Sequence, residues 1–290
     1  MNPIFKKAQK VIVQILLSLL FAVIIAIVIR VFLFSSFKIP TPSMEPAVKP
    51  GDYVLVNKLI IGPRLFKNFR FLKGEKVETL RLPGLRRIRR NDVLVFNFPY
   101  SDGDKLSMDI NVYYLKRCIA IAGDTFYIKN GFYKVRGCDD TLGNYNNQKM
   151  ISNLTSAEIS SGIYNCFPYN GNQHWNLKFF GPLYIPKSKD KLLIDTSNIH
   201  LYRRLIEYET DKTIKIQNDT ILLGKNVIKS YTFKMNYYMM AGDYVLDSRD
   251  SRYWGLLPED HIVGKATRIW KSQDPNSGKF RFNRLFIHIK

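Results

Sequence analysis

Three polar segments of this 290-residue chain have the residue types needed for acyl transfer. The first, Pro40-Thr41-Pro42-Ser43-Met44-Glu45-Pro46, sets Ser43 in a proline-bounded loop. The second, Tyr113-Tyr114-Leu115-Lys116-Arg117, surrounds Lys116 with aromatic and apolar neighbours. The third runs from Gly242-Asp243 to Ser248-Arg249-Asp250-Ser251-Arg252-Tyr253-Trp254-Gly255. A serine hydroxyl is barely ionised at neutral pH and needs a base within hydrogen-bond reach to become a nucleophile. An uncharged lysine can serve as that base in place of histidine. A free lysine titrates near ~10.4, but burial disfavours the ammonium and can lower that value by several units. Tyr114, Leu115, Cys118 and Ile119 could supply that desolvation. None of His174, His200, His261 and His288 lies in a context resembling a cysteine-protease motif, so Cys118, Cys138 and Cys166 are not expected to be nucleophiles.

In this order, the three segments resemble the bacterial type I signal peptidases, membrane-anchored Ser/Lys proteases that remove leader peptides from exported proteins. The resemblance covers most of the chain. It implies Ser43 as nucleophile and Lys116 as general base. Thr41 would join the Ser43 N–H as an oxyanion donor, and Ser248 would orient the lysine amine through a hydrogen bond. Asp250 and Arg252 would form a structural ion pair. Phe37, Ile39, Val48 and Leu115 fall where the family lines shallow apolar pockets, which give an A-x-A preference before the cut. An extended leader would add as a strand, sending the side chains one and three before the cut to the same face. Neither a cofactor nor a metal is implied. The chain departs from the family in Ala47-Val48, in Pro42, and in Tyr244-Val245-Leu246-Asp247, where the family commonly has an Asn-Arg pair. If Ser248 does not hold the lysine, Asp247 is the first alternative.

Residues 11–29 are uncharged and nearly all apolar, broken only by Gln14 and Ser18. As a helix they would span ~28 Å, close to the hydrocarbon thickness of a bilayer. The apolar run continues past Arg30 through Val31-Phe32-Leu33-Phe34, with no small-residue cleavage site after it, so it reads as a retained anchor rather than a removable leader. Lys6, Lys7 and Lys10 precede it, which predicts a cytoplasmic N-terminus and an exported body on the outer side of the bacterial inner membrane. The expected partners are leader-bearing preproteins, anionic lipids and a nearby secretion translocon.

Lys and Arg number 44 against 24 Asp and Glu, a net charge of +20, which favours an anionic neighbour. No zinc-finger spacing or RNA-recognition signature accompanies that charge, so nucleic acid is not expected as a partner. Residues 64–90 hold ten basic and two acidic side chains. Leu65, Phe66, Phe69, Phe71 and Leu72 are interleaved with Arg64, Lys67, Arg70 and Lys73, a pattern suited either to a lipid surface or to a solvated loop packed on the body.

The exported part reads as mainly β and mostly antiparallel. Strands are expected near residues 51–57, 91–99, 113–122, 191–194, 237–241 and 261–270, and a helix near 199–208. Residues 130–234 are rich in Asn, Gly, Tyr and Ser and read as an inserted second β-rich domain. This divides the chain into a tail (1–10), an anchor (11–34), a catalytic β-domain in two pieces (35–129 and 235–290) and the insertion. Three cysteines are too few for a disulfide framework, although Cys138 and Cys166 could pair after export. Two other readings stay open on sequence grounds: a specialised processing peptidase with the same chemistry, and an inactive membrane-tethered β-module.

Overall fold

The computed structural model describes residues 3–69, 71, 75–100, 103–169 and 173–290. An apolar helix, Pro3–Val28, is followed by a single π-helical stretch, Ile29–Leu33. The apolar side chains of residues 11–29 are exposed all round the helix, Phe21 at 65 % and Leu16 at 60 %. Such a helix buries nothing against the body and has the length and composition to cross a membrane. Its C-terminal carbonyls are tied to the body. Lys58 donates through Nζ to the Arg30 and Val31 carbonyls (2.6 and 3.3 Å) and through its amide to Leu33 O (2.8 Å).

The chain passes from the helix straight into the first strand, Phe34–Lys38, an element not anticipated because its serines interrupt the hydrophobic alternation. A seven-stranded antiparallel sheet follows. Its order in space is Phe34–Lys38, Asp52–Asn57, Ile262–Ser272, Val93–Asn97, Tyr113–Ala120, Tyr237–Ala241 and Leu257–Pro258. The body is therefore mainly β, as its β-branched and aromatic runs predict. The Ile262–Ser272 strand carries register shifts against both of its neighbours. Such bulges increase local twist and curl a sheet. Phe37 on the first strand and Tyr113 on the fifth are four strands apart in the order, yet their rings stand 4.9 Å apart.

Strand alternation sorts the side chains between two cores. Val93, Val95 and Leu115 join Ile39, Met44, Val48, Val54 and Val56 on one face. Leu94, Phe96, Cys118 and Ala120 join a larger cluster on the other. That larger cluster also takes in Leu183, Ile206 and Phe233 from residues 130–234. Those residues form helices Tyr145–Asn153, Ser161–Tyr164 and Ile199–Thr210 as well as short strands, and they pack on the sheet through a shared core. The three cysteines are free thiols. Cys118 and Cys166 are buried, whereas Cys138 is half-exposed beside Arg90 and Asp140.

The basic segment is less exposed than its charge suggests. Arg64 turns inward to the Asp260 and His261 carbonyls (2.9 and 3.0 Å) and to Asn97 Oδ1 (2.6 Å). Arg81 caps the Gly62, Glu259 and Ile262 carbonyls, while Arg86 and Arg90 pair with Asp92 and Asp124. Phe66, Phe69 and Phe71 cluster, with Phe69 69 % exposed. Arg70, Leu72 and Lys73 lie outside the described residues.

Candidate active site

Two strand edges frame the site. Among the described residues, the Phe34–Lys38 strand is paired on one side alone, by Asp52–Asn57. The Tyr113–Ala120 strand is paired along residues 113–117 on one side, but on the other side the Tyr237–Ala241 strand reaches only Arg117. The chain then leaves the sheet at Gly242, so residues 113–116 keep an open edge. Between these edges lies a cleft of about 410 Å³ lined by Phe37, Ile39, Ser43, Val95, Tyr114 and Leu115, among others.

Ser43 and Lys116, 73 positions apart in sequence, meet in this cleft with Lys116 Nζ 2.5 Å from Ser43 Oγ. Both are buried, at 7 % and 5 % exposure. The Tyr114 ring centroid lies 5.6 Å from the amine. Desolvation by burial pulls the Lys116 pKa down from 10.5 to about 8, helped by the charge of Arg252 and opposed by Asp250, Asp243 and Asp247. A substantial fraction of the amine is thus neutral at mildly alkaline pH, the state a general base requires.

Thr41 stands on the cleft wall with Oγ1 3.4 Å from Ser43 Oγ. The Ser43 amide finds no acceptor among the described residues, which leaves it available to an oxyanion. The Ser43 carbonyl accepts from Tyr244 N (3.1 Å), so the nucleophile's loop leans on the loop after Gly242. That contact is possible because residue 242 lacks a side chain: a Cβ there would come within 2.5 Å of Ser43 O and 2.2 Å of Ser248 Oγ.

Ser248 lies beside Gly242 and Ser43, but its hydroxyl donates to Asp250 Oδ2 (2.6 Å). No hydrogen bond joins Ser248 to Lys116 among the described residues. Since its proton is committed to Asp250, an oxygen lone pair remains for the amine. Asp250 is fully buried and also accepts from Gly242 N (2.8 Å) and, in a fork, from Arg252 Nε and Nη2 (2.8 and 2.6 Å). Burial raises its pKa, but Arg252 and these hydrogen bonds outweigh that effect and hold it below the usual carboxylate range. Beside this pair, Arg117 makes a second buried fork to Asp243 (2.6 Å to each oxygen) and holds the Lys290 carbonyl (2.7 Å).

Phe37, Ile39 and Leu115 line the cleft as expected of pocket residues. Val48 is wholly buried behind that lining, in the cluster with Ile39 and Met44. It is not among the residues that line the cleft. Sequence reasoning passed over Val95, and it noted Met44 and Gly242 as motif residues without giving either a role in the cleft. It also missed Arg117, although adjacency to Lys116 and the opposite charge of Asp243 were available signals. Asp247 lines the cleft with Arg249, and both are exposed.

The profile of the family described as "Signal peptidase, peptidase S26" matches residues 12–271. Signal peptidase I of Haemophilus influenzae is 30% identical over 290 residues, covering 90% of this chain and 71% of the relative. That of Buchnera aphidicola subsp. Acyrthosiphon pisum is 28% identical over 277 residues, 89% of this chain and 76% of the relative. That of Pseudomonas aeruginosa is 25% identical over 272 residues, 90% and 73% respectively.

Proposed function

This chain belongs to the signal peptidase family, peptidase S26, and we propose that it cleaves leader peptides after an A-x-A-like sequence with Ser43 as nucleophile and Lys116 as base. Signal peptidase relatives over most of its length make it a hydrolase that processes signal-peptide-bearing preproteins. The observation that carries the Ser/Lys reading is the 2.5 Å contact between Nζ and Oγ inside a desolvated cleft.

The leader enters extended between the open edges of residues 37–41 and 113–116 and hydrogen-bonds to both, as a strand completing a sheet does. The neutral Lys116 amine takes the Ser43 proton as Oγ bonds to the scissile carbonyl carbon. The resulting oxyanion is held by the Ser43 N–H and the Thr41 hydroxyl. Lys116 returns the proton to the departing amine of the mature chain, and the leader stays esterified to Ser43. A water deprotonated by Lys116 then hydrolyses the ester and restores the serine. Ser248, itself fixed by Asp250, accepts from the amine and keeps its lone pair on Ser43.

The apolar helix anchors the body in the bacterial inner membrane. Basic residues before the helix favour a cytoplasmic N-terminus and an outward-facing cleft, within reach of chains leaving a translocon. Purified protein incubated with a preprotein in detergent should release a mature chain whose new N-terminus, read by mass spectrometry, follows the A-x-A site. Ser43→Ala and Lys116→Ala, both folded, should release none. Substantial cleavage by either variant overturns the assignment.

A further inference from the structure

The cleft has two differently built sides. Leu115, Val95, Ile39 and Met44 form its apolar floor and belong to one core. Tyr114 and Lys116 alternate with Leu115 and face the opposite side of the strand. On that side the Tyr114 ring stacks on Phe98 with centroids 4.6 Å apart, and the Arg249 guanidinium lies 5.8 Å from the Phe98 ring centre. Lys38 alternates with Phe37 and Ile39 on the opposite wall and is exposed. Lys38, Asp247 and Arg249 all line the cleft, and besides Lys116 they are its charged residues. Among the described residues, none of the three makes a side-chain hydrogen bond or an ion pair.

We propose that Lys38, Arg249 and Asp247 form a polar subsite that reads the side chain two positions before the cut and favours an acidic or amide residue there over lysine. The inference rests on the strand-addition reading above. A leader lying between residues 37–41 and 113–116 points the side chains one and three before the cut at the apolar floor. Alternation then turns the intervening side chain to the face that carries Tyr114 and the three charges. Two cations against one anion leave that face net positive, so a glutamate gains attraction where a lysine meets repulsion. The aliphatic stems of Lys38 and Arg249 still offer contact to neutral side chains. The unspecified middle position of the A-x-A sequence becomes, in this chain, a graded preference set by residues outside the Ser/Lys pair.

The test is competitive cleavage of one preprotein in three forms, with A-E-A, A-Q-A or A-K-A before the cut, by the full-length enzyme in detergent. The readout is the ratio of kcat/KM values. Taking this ratio at a single pH cancels any effect a substitution has on Lys116, because all three substrates share that base. Exposed charge pairs are each worth little, so the expected Glu-to-Lys preference is about two- to fivefold. Arg249→Glu and Lys38→Glu should each reverse it, and Asp247→Asn should enlarge it. Raising the salt concentration should flatten the preference in every form. A ratio near one that no variant moves overturns the proposal. So does a ratio that moves only when the residue after the cut is varied, since the charges would then read the mature side. Absence of A-x-A cleavage in all forms would indict the underlying assignment instead.

Discussion

Lys116 draws its usefulness from an energetic penalty. Holding its pKa at about 8 instead of 10.5 means that the folded protein resists a proton the unfolded chain would accept. The unfolded state therefore binds more protons between those values, and stability rises with pH across that window. Below pH 8 the full penalty applies, roughly 3 kcal/mol for a shift of this size. Lys116→Met should abolish cleavage yet be more stable than the parent at pH 7 by up to that amount, with the gain fading as pH approaches 10.5; urea titrations at several pH values would measure it. Activity should follow the neutral amine, climbing as pH rises through about 8. Because Asp247 pulls the lysine's pKa upward, Asp247→Asn should move this limb to lower pH, whereas a profile flat from pH 6 to 9 would exclude a lysine base. Thr41→Val should fold normally and lose up to about 10²–10³ in kcat, with Thr41→Ser restoring most of it. Ser43 and Lys116 were legible as candidates only through the likeness of their segments to the family's motifs, since each segment alone reads as an ordinary turn or strand. The carboxylate partner of Ser248 was not, since a serine hydroxyl can accept from an amine and donate to a carboxylate at once, and only the fold shows that Asp250 takes its proton.

The elements around the site carry a second kind of precision. The Tyr237–Ala241 strand is followed at once by Gly242, which has no Cβ, and the turn there is fixed by Asp250, so Ser43, Gly242 and Ser248 are packed as one unit. Gly242→Ala should push the Ser43 carbonyl and the Ser248 hydroxyl apart and cost several orders of magnitude in kcat with modest loss of stability, which paired activity and thermal-melt measurements would separate. Asp250→Ala leaves Arg252 buried without its partner and should cost about 3–5 kcal/mol. Strand positions at residues 52–57, 93–97, 113–120 and 237–241 were readable from β-branched and aromatic runs, and the helix expected near 199–208 forms over Ile199–Thr210. The open edge at 113–116 was not readable. It arises because one neighbouring strand stops early, and pairing length is set by tertiary packing rather than by the sequence of either strand.

For the molecule as a whole, residues 130–234, whose composition reads as an inserted domain, contribute to the same hydrophobic cluster as Phe96 and Ile119. The sheet and the insertion should therefore unfold in one transition, which probes of Trp175 and Trp270 fluorescence in single-tryptophan variants would test by coincidence of their midpoints. Composition sets that stretch apart in the sequence, yet it could not reveal the shared core, which depends on which faces meet. Charge was similarly ambiguous. Six basic side chains of residues 64–90 are turned inward or paired, and the remaining exposed aromatics leave a lipid contact to be tested by vesicle co-sedimentation of a helix-deleted chain with Phe66, Phe69 and Phe71 changed to Ser. One consequence reaches beyond the enzyme itself. Lys58 clamps the end of the apolar helix, and no linker separates Leu33 from the first strand, so Ser43 hangs from the bilayer on ten residues, at most ~35 Å of chain. The molecule is a caliper as well as a blade. With cleavage at Ser43 as proposed, the same reach would set the interval between a substrate's greasy segment and its cut, and a preprotein whose spacer is lengthened well past it should present its A-x-A site to empty water.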